Sequence, residues 1–170
     1  AQRAAEKPDF FFYDRQFIAE MKSLKQDMRT KADNVMNKHI DRPEYPLFFG
    51  EWGIDKVLRS FPDRDQIRNE IGNQLTSGLE SVVRKANRQI RNAKNSFGLG
   101  KSHGILIVLN DTVEILSPEV LAFGLNRLML KKDSNGDQRF SEISAVLLLT
   151  DLHVIRAPSG SEAIPTITIT

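Results

Sequence analysis

Pro8-Asp9-Phe10-Phe11-Phe12-Tyr13-Asp14-Arg15-Gln16-Phe17-Ile18-Ala19-Glu20-Met21-Lys22 is the stretch on which the fold turns. Aromatic and branched residues on either side of one polar break favour two short strands, over 9–13 and 16–24, joined at Asp14-Arg15. A turn centred there pairs Phe12 with Phe17, Phe11 with Ile18 and Asp9 with Glu20. Side chains alternate along a strand, so Lys22 shares a face with Glu20. One turn assignment therefore gathers two carboxylates and an amine. Two facing carboxylates repel unless a cation lies between them, so the pairing itself asks for a metal or for Lys22. Carboxylates with backbone oxygens suit Mg²⁺, a hard ion that activates water and neutralises charge at a phosphate. Lys22 would orient the water or stabilise the transition-state oxygens. The opposite face, with Phe10, Phe12, Phe17, Ala19 and Met21, is assigned to the core. The plainer alternative is a solvated strand on which Glu20 and Lys22 are ordinary surface charges.

Outward from the hairpin, residues 25–45 allow a weakly amphipathic helix, and Pro43 and Pro46 punctuate a loop. Ile54 to Phe61 suggests a short helix stopped by Pro62. Asp63 with Gln66 forms a capping box for a long helix over 63–97. Its apolar stripe is Ile67, Ile71, Leu75, Leu79, Val83, Ala86, Ile90, Ala93 and Phe97, the pattern of a helix packed on a sheet. Gly98 and Gly100 end it. Gly104–Asn110 is an unbroken apolar run, which predicts a strand covered on both faces. Ser117 and Pro118 open a helix over 118–131, residues 133–137 turn, and a second buried strand covers 143–155. The last residues alternate like an edge strand or a tail. A hairpin followed by helix, strand, helix and strand implies an α/β fold with a mixed central sheet flanked by helices.

The 170 residues suit one domain with its core over about 8–155 and a loop plus edge strand or tail over 156–170. Apolar content of 40% with 27% charged residues excludes a disordered tail, and no run approaches bilayer length. No membrane partner is expected. The chain has no cysteine, which removes disulfides, thiolate metal sites and cysteine nucleophiles; a cytoplasmic location fits. Net charge is only +2, so any affinity for nucleic acid depends on where the charge sits. The chain begins at Ala1, close before the motif, which fits an N-terminal trim or a further upstream segment.

Pro8-Asp9 followed by Glu20-Met21-Lys22 at the close of an apolar strand resembles the PD-(D/E)XK nuclease superfamily, with its restriction-endonuclease-like core. The resemblance spans roughly residues 8–110. It implies a hairpin bearing the Asp and the Glu-x-Lys, then a helix (63–97) and a further strand (104–110). It implies Asp9 and Glu20 as ligands of Mg²⁺ or Mn²⁺, joined by the main-chain carbonyl of Met21, and Lys22 as the catalytic lysine. It also implies a polar side chain from the following helix, here Gln89 or Lys85, entering the site. The family usually has a helix ahead of the Asp, sometimes with another acidic ligand. Only Ala1–Lys7 stands in that place, with Glu6 as the substitute. The function implied is hydrolysis of phosphodiester bonds in nucleic acid, with DNA as the expected substrate and a homodimer as one arrangement.

Arg84, Lys85, Arg88, Arg91 and Lys94 concentrate positive charge late in the long helix. They read as a phosphate-tracking, nucleic-acid-binding surface or as a solvated face with favourable charge near a helix C-terminus. Gly98-Leu99-Gly100-Lys101-Ser102 is not a P-loop, since it runs from helix to strand. Asp133–Asp137 departs from a calcium loop, with glycine too early and Ser144 where Glu belongs. His39, His103 and His153 lack ligand spacing, and Tyr45, Phe48, Phe49 and Trp52 read as loop packing rather than base stacking. Two other readings stay open: a catalytically inactive module that binds nucleic acid or a protein through the basic helix, and a structural or assembly domain.

Overall fold

Strand β1 (Phe10–Phe12) turns back antiparallel onto β2 (Phe17–Ser23), with Phe10 opposite Ala19, Phe11 opposite Ile18 and Phe12 opposite Phe17. This is the register implied by a turn at Asp14-Arg15. The turn drives Tyr13, Asp14 and Arg15 to φ of 47°, 49° and 66°, and the Gln16 N–H donates to the Tyr13 carbonyl across 3.0 Å. Left-handed backbone costs an L-residue roughly 1–2 kcal/mol. The Tyr13 ring edge-on to Phe17 and the Arg15 guanidinium over Phe11 offset that strain.

The computed structural model describes residues 7–24, 27–40, 59–111, 117–152, 154–156, 160 and 162–170. The loop at 43–50, most of the helix expected over 54–61, and Glu6, Tyr45, Phe48, Phe49, Trp52 and His153 lie outside them. After the hairpin come α1 (Asp27–Ile40), α2 (Arg64–Phe97), β3 (His103–Asn110), α3 (Pro118–Met129) and β4 (Ala145–Thr150). A two-residue pair follows, β5 (Ile155–Arg156) with β6 (Glu162–Ala163), and then β7 (Thr166–Ile169). The main sheet is five-stranded and mixed, in the order β1-β2-β3-β4-β7. β2, β3 and β4 run parallel, and the two outer strands run antiparallel to their neighbours.

Among the described residues, α2 and α3 both cover the same face of this sheet. Their buried side chains join Ile18, Leu106, Val108, Val146 and Leu148 in one core. The approach is closest at Gly104. A Cβ there would overlap the Glu142 carbonyl oxygen and sit 2.8 Å from Ile90 Cγ2, so only glycine lets α2 down onto β3.

This arrangement reverses the face assigned to the core. Phe10, Phe12 and Met21 are each about two-fifths exposed, although Ala19 on their side is buried. The covered face is the one that carries Ile18 and Glu20, and Phe11 on it meets Phe97 of α2 edge-on. Hydrophobicity alone favoured the phenylalanine face. The landing side of α2 decided otherwise, because the charged group neutralises itself internally and tolerates burial.

Several other expectations change. β3 is not covered on both faces, since Ile105, Ile107 and Leu109 are only half-buried. The strand expected over 143–155 is confined to Ala145–Thr150. The α3 helix stops at Met129, capped at its start by the Ser117 hydroxyl accepting from the Val120 N–H across 3.4 Å. Asp63 makes no side-chain cap, so the capping box with Gln66 does not form; its carboxylate instead lies 4.0 Å from the buried His39 of α1. The C-terminus of α2 closes as read, with Gly98 at φ 66° and the Leu99 N–H bonded back to the Lys94 carbonyl.

Gly72 sits inside α2, and a Cβ added there meets nothing within 4 Å. Gly72→Ala is therefore expected to stabilise the fold by about 0.5–1 kcal/mol, read as a rise in melting temperature. A lower melting point would mean that α2 is not continuous through this residue.

Candidate active site

Asp9 sits just before β1, Glu20 and Lys22 two residues apart on β2. The hairpin register brings all three together. The Lys22 ammonium lies 2.7 Å from Glu20 Oε2 and 3.7 Å from Asp9 Oδ2. Asp9 and Glu20 are also close enough to hydrogen-bond each other when one is protonated. Exposure is graded across the group: 1% for the Glu20 side chain, 15% for Lys22 and 43% for Asp9. The cluster thus opens to solvent at Asp9 and closes at Glu20, beneath α2.

Backbone geometry adds a fourth group. The Met21 N–H donates to Asp9 Oδ2 across 2.8 Å, which locks that carboxylate in place. Within a strand, the N–H and C=O of one residue point toward the same neighbour, so the Met21 carbonyl also faces the Asp9 side. The register, continued outward, sets Pro8 opposite Met21. Proline has no N–H to offer that carbonyl. Pro8 therefore ends the ladder and leaves a main-chain oxygen beside the carboxylates.

Burial pushes the Glu20 carboxyl up from the ordinary glutamate value of 4.5. The Lys22 hydrogen bond and charge oppose this, and the Asp9 charge adds to it. The folded state therefore binds a proton at Glu20 more readily than the unfolded chain does, so this group's contribution to stability falls as pH rises above about 4.5. Glu20→Gln removes the titration. Stability of the native chain relative to Glu20→Gln is expected to decline from pH 5 toward neutrality, measured by denaturant unfolding across that range. A flat difference would remove the buried carboxylate from the account.

The donor atoms are of the kind a divalent cation prefers. They are carboxylate and carbonyl oxygens, the hard ligands that Mg²⁺ takes alongside several waters. The Lys22 ammonium, in contact with both carboxylates, marks the position where the pair accepts a cation. Among the described residues no third His, Asp or Glu joins the pair to make an all-protein metal group.

The other expected site residues all lie on α2. Gln89 is half-buried on α2, in the row between Val82, Ala86 and Ala93. The basic stretch of α2 is largely balanced. Arg84 is held by Glu80 at 2.6 Å, while Arg91 and Lys94 converge on Glu142 at 3.3 and 3.0 Å. Burial pushes the Glu142 carboxyl up, but Lys94 and Arg91 pull it further down, to below its ordinary value. Lys94 is mostly buried, so it belongs to a structural ion pair rather than an open surface. Lys85 and Arg88 are exposed and, among the described residues, make no ion pair. A periodicity argument sees the five cations but not Glu142, which reaches Lys94 and Arg91 from 48 and 51 residues away.

Two polar residues escaped the sequence reading. Asn110 and Thr150 are fully buried and face each other at the C-terminal ends of β3 and β4, on the same sheet face as Glu20. Their signal was a polar side chain closing an apolar run, at the strand ends where open α/β sheets collect their sites. Compared with protein-family models, with curated proteins and with solved structures, the chain matches none of them. No helix among the described residues is long and apolar enough to cross a membrane.

Proposed function

We propose that this chain is a metal-dependent nuclease with a restriction-endonuclease-like core, hydrolysing phosphodiester bonds of nucleic acid, with DNA as the first substrate to test. The observation that carries the reading is the convergence of Asp9, Glu20 and Lys22 at one end of the hairpin, with Asp9 held by the Met21 N–H. The order of hairpin, α2 and parallel β3 beside β2 agrees with the resemblance stated above.

Asp9, Glu20 and the Met21 carbonyl would hold Mg²⁺ or Mn²⁺. Such an ion supplies an acidified water for in-line attack and neutralises charge on the phosphate. The chain's own part is positional. The Met21 N–H fixes Asp9 in one orientation, and burial fixes Glu20. The Lys22 ammonium, beside both carboxylates, would donate to the attacking water or to a phosphate oxygen. Gln89 is the helix residue assigned to line the site. Lys85 and Arg88 are left to contact the phosphate backbone, and two such contacts supply only modest, salt-sensitive affinity.

The experiment is incubation of supercoiled plasmid, single-stranded DNA and RNA with the protein in Mg²⁺, Mn²⁺ or EDTA. Metal-dependent nicking or degradation is expected. No product from any substrate in either metal would end the proposal. One observation favours a second reading, a catalytically inactive module of the same fold: Lys22 already balances the carboxylates without a metal. That reading predicts salt-dependent binding of nucleic acid, unchanged by chelation and without cleavage.

A further inference from the structure

Phe10, Phe12 and Tyr13 are 40%, 41% and 77% exposed, and they belong to one group of rings. Phe10 and Phe12 share a face of β1, with ring centroids 5.9 Å apart and planes 20° from parallel. Phe12 sits opposite Phe17 across the hairpin, and Phe17 sits opposite His103 on β3. Residues directly opposite share a face, so Phe10, Phe12, Phe17 and His103 all lie on the side turned away from α2. The Phe17 ring is met edge-on by Tyr13 at 5.9 Å and by the His103 ring at 5.5 Å. Aromatic surface gathered in one exposed patch marks an interaction site more than single exposed side chains do. The same end of the sheet is cationic. Arg15 in the hairpin turn and Lys101 in the turn ahead of β3 are exposed, and among the described residues neither makes an ion pair. The Ser102 hydroxyl donates to the Arg15 carbonyl across 2.6 Å, so the two turns are joined. Asp14 is the one acid in either turn.

We infer that this ring face binds single-stranded nucleic acid, by stacking bases on Phe10, Phe12, Tyr13 and His103 while Arg15 and Lys101 meet the phosphates. Rings and charge select the ligand together. Flat rings stack on flat rings, and a positive rim attracts an anion; unpaired bases on a phosphate chain supply both. A duplex does not, because its base faces are already stacked and only edges and phosphates are presented. The placement also suits the carboxylate cluster. β1 is the outermost strand of the sheet, and Asp9 precedes Phe10 on it. Tyr13 to Asp9 spans about 13 Å of strand, room for about two to four bases. A chain lying along β1 thus leaves the rings at the edge where Asp9 is exposed. Binding rests on the rings and charges alone; delivery of the bound strand to the cluster rests on the nuclease reading.

Fluorescence anisotropy in EDTA reads binding without cleavage, using the whole chain with end-labelled oligothymidine, oligouridine and a duplex of equal length. Both single strands are expected to bind at least about tenfold more tightly than the duplex, since one stacked base is worth roughly that factor. Phe12→Leu and Tyr13→Leu keep an apolar side chain and remove the ring. Each is expected to weaken single-strand binding about tenfold and to leave duplex binding unchanged, whereas Phe12→Trp retains the affinity. Tyr13 is exposed enough that its variant decides the matter even where the Phe12 variant unfolds. Equal affinity for single strand and duplex overturns the inference. So do leucine variants that bind like wild type, which would mark the face as an apolar protein-docking surface. Single-strand preference without any cleavage removes the nuclease and leaves this site; metal-dependent cleavage of duplex without that preference does the reverse.

Discussion

Glu20→Gln is expected to lower metal-dependent cleavage by at least about a thousandfold while raising the melting temperature of the metal-free protein at neutral pH. The two halves of this result have one cause. Glu20 is almost fully buried and lies against Asp9, so its charged form is disfavoured in the fold. The amide keeps the shape and still accepts a hydrogen bond from Lys22, but brings no charge. On the nuclease reading a ligand of the cation is lost, and a buried like-charge contact is lost with it. The wild-type protein should gain thermal stability on adding Mg²⁺ or Mn²⁺, and Glu20→Gln should gain much less. Asp9→Asn should behave alike in cleavage, with a smaller change in intrinsic stability because Asp9 is 43% exposed.

Lys22→Met separates the roles further. It keeps the apolar stem and removes the ammonium, leaving two carboxylates uncompensated in the absence of metal. The variant is expected to be less stable than wild type in EDTA, to recover more stability with Mg²⁺, and to cleave no DNA. If all three variants changed stability but left cleavage at the wild-type rate, the cluster would be a structural ion group and the nuclease assignment would fall.

Gly104→Ala is expected to be the most damaging conservative change in the sheet, costing about 3 kcal/mol or more and lowering the melting temperature by roughly 10 °C. The new methyl would overlap the Glu142 carbonyl oxygen and press on Ile90. Neither neighbour can retreat. The Glu142 N–H is held by Asn87 Oδ1 at 3.0 Å, and its carboxylate is tied to Arg91 and Lys94. The adjoining Ser144 N–H is bonded to the Gly104 carbonyl at 2.7 Å. Gly100→Ala is the control, since a Cβ at that position meets nothing within 4 Å. Equal melting points for the two variants would show that α2 and β3 do not approach as closely as described.

The catalytic reading and the stability reading were not equally legible in the sequence. The hairpin register came directly from one polar break between aromatic runs, and with it the meeting of Asp9, Glu20 and Lys22. α2 was legible along almost its whole length because one stripe repeats at helical spacing. The ion pairing of the basic helix was not legible, because those pairs form between distant segments. Nothing near Arg91 or Lys94 announces Glu142. The strand expected over 143–155 was too long for a related reason: hydrophobicity persists past Thr150, while pairing with β3 and β7 does not.

Local sequence by itself determined the hairpin, the long helix, the turn and the company that Asp9, Glu20 and Lys22 keep, because strand alternation, helical spacing and turn position are short-range facts. Only tertiary packing decided which side of the hairpin is buried, since α2 lands there from far along the chain. It also decided which cations are already spent on Glu80 and Glu142. Burial and charge neutralisation are properties of neighbours in space, and those neighbours are set by how α2 and α3 pack onto the sheet.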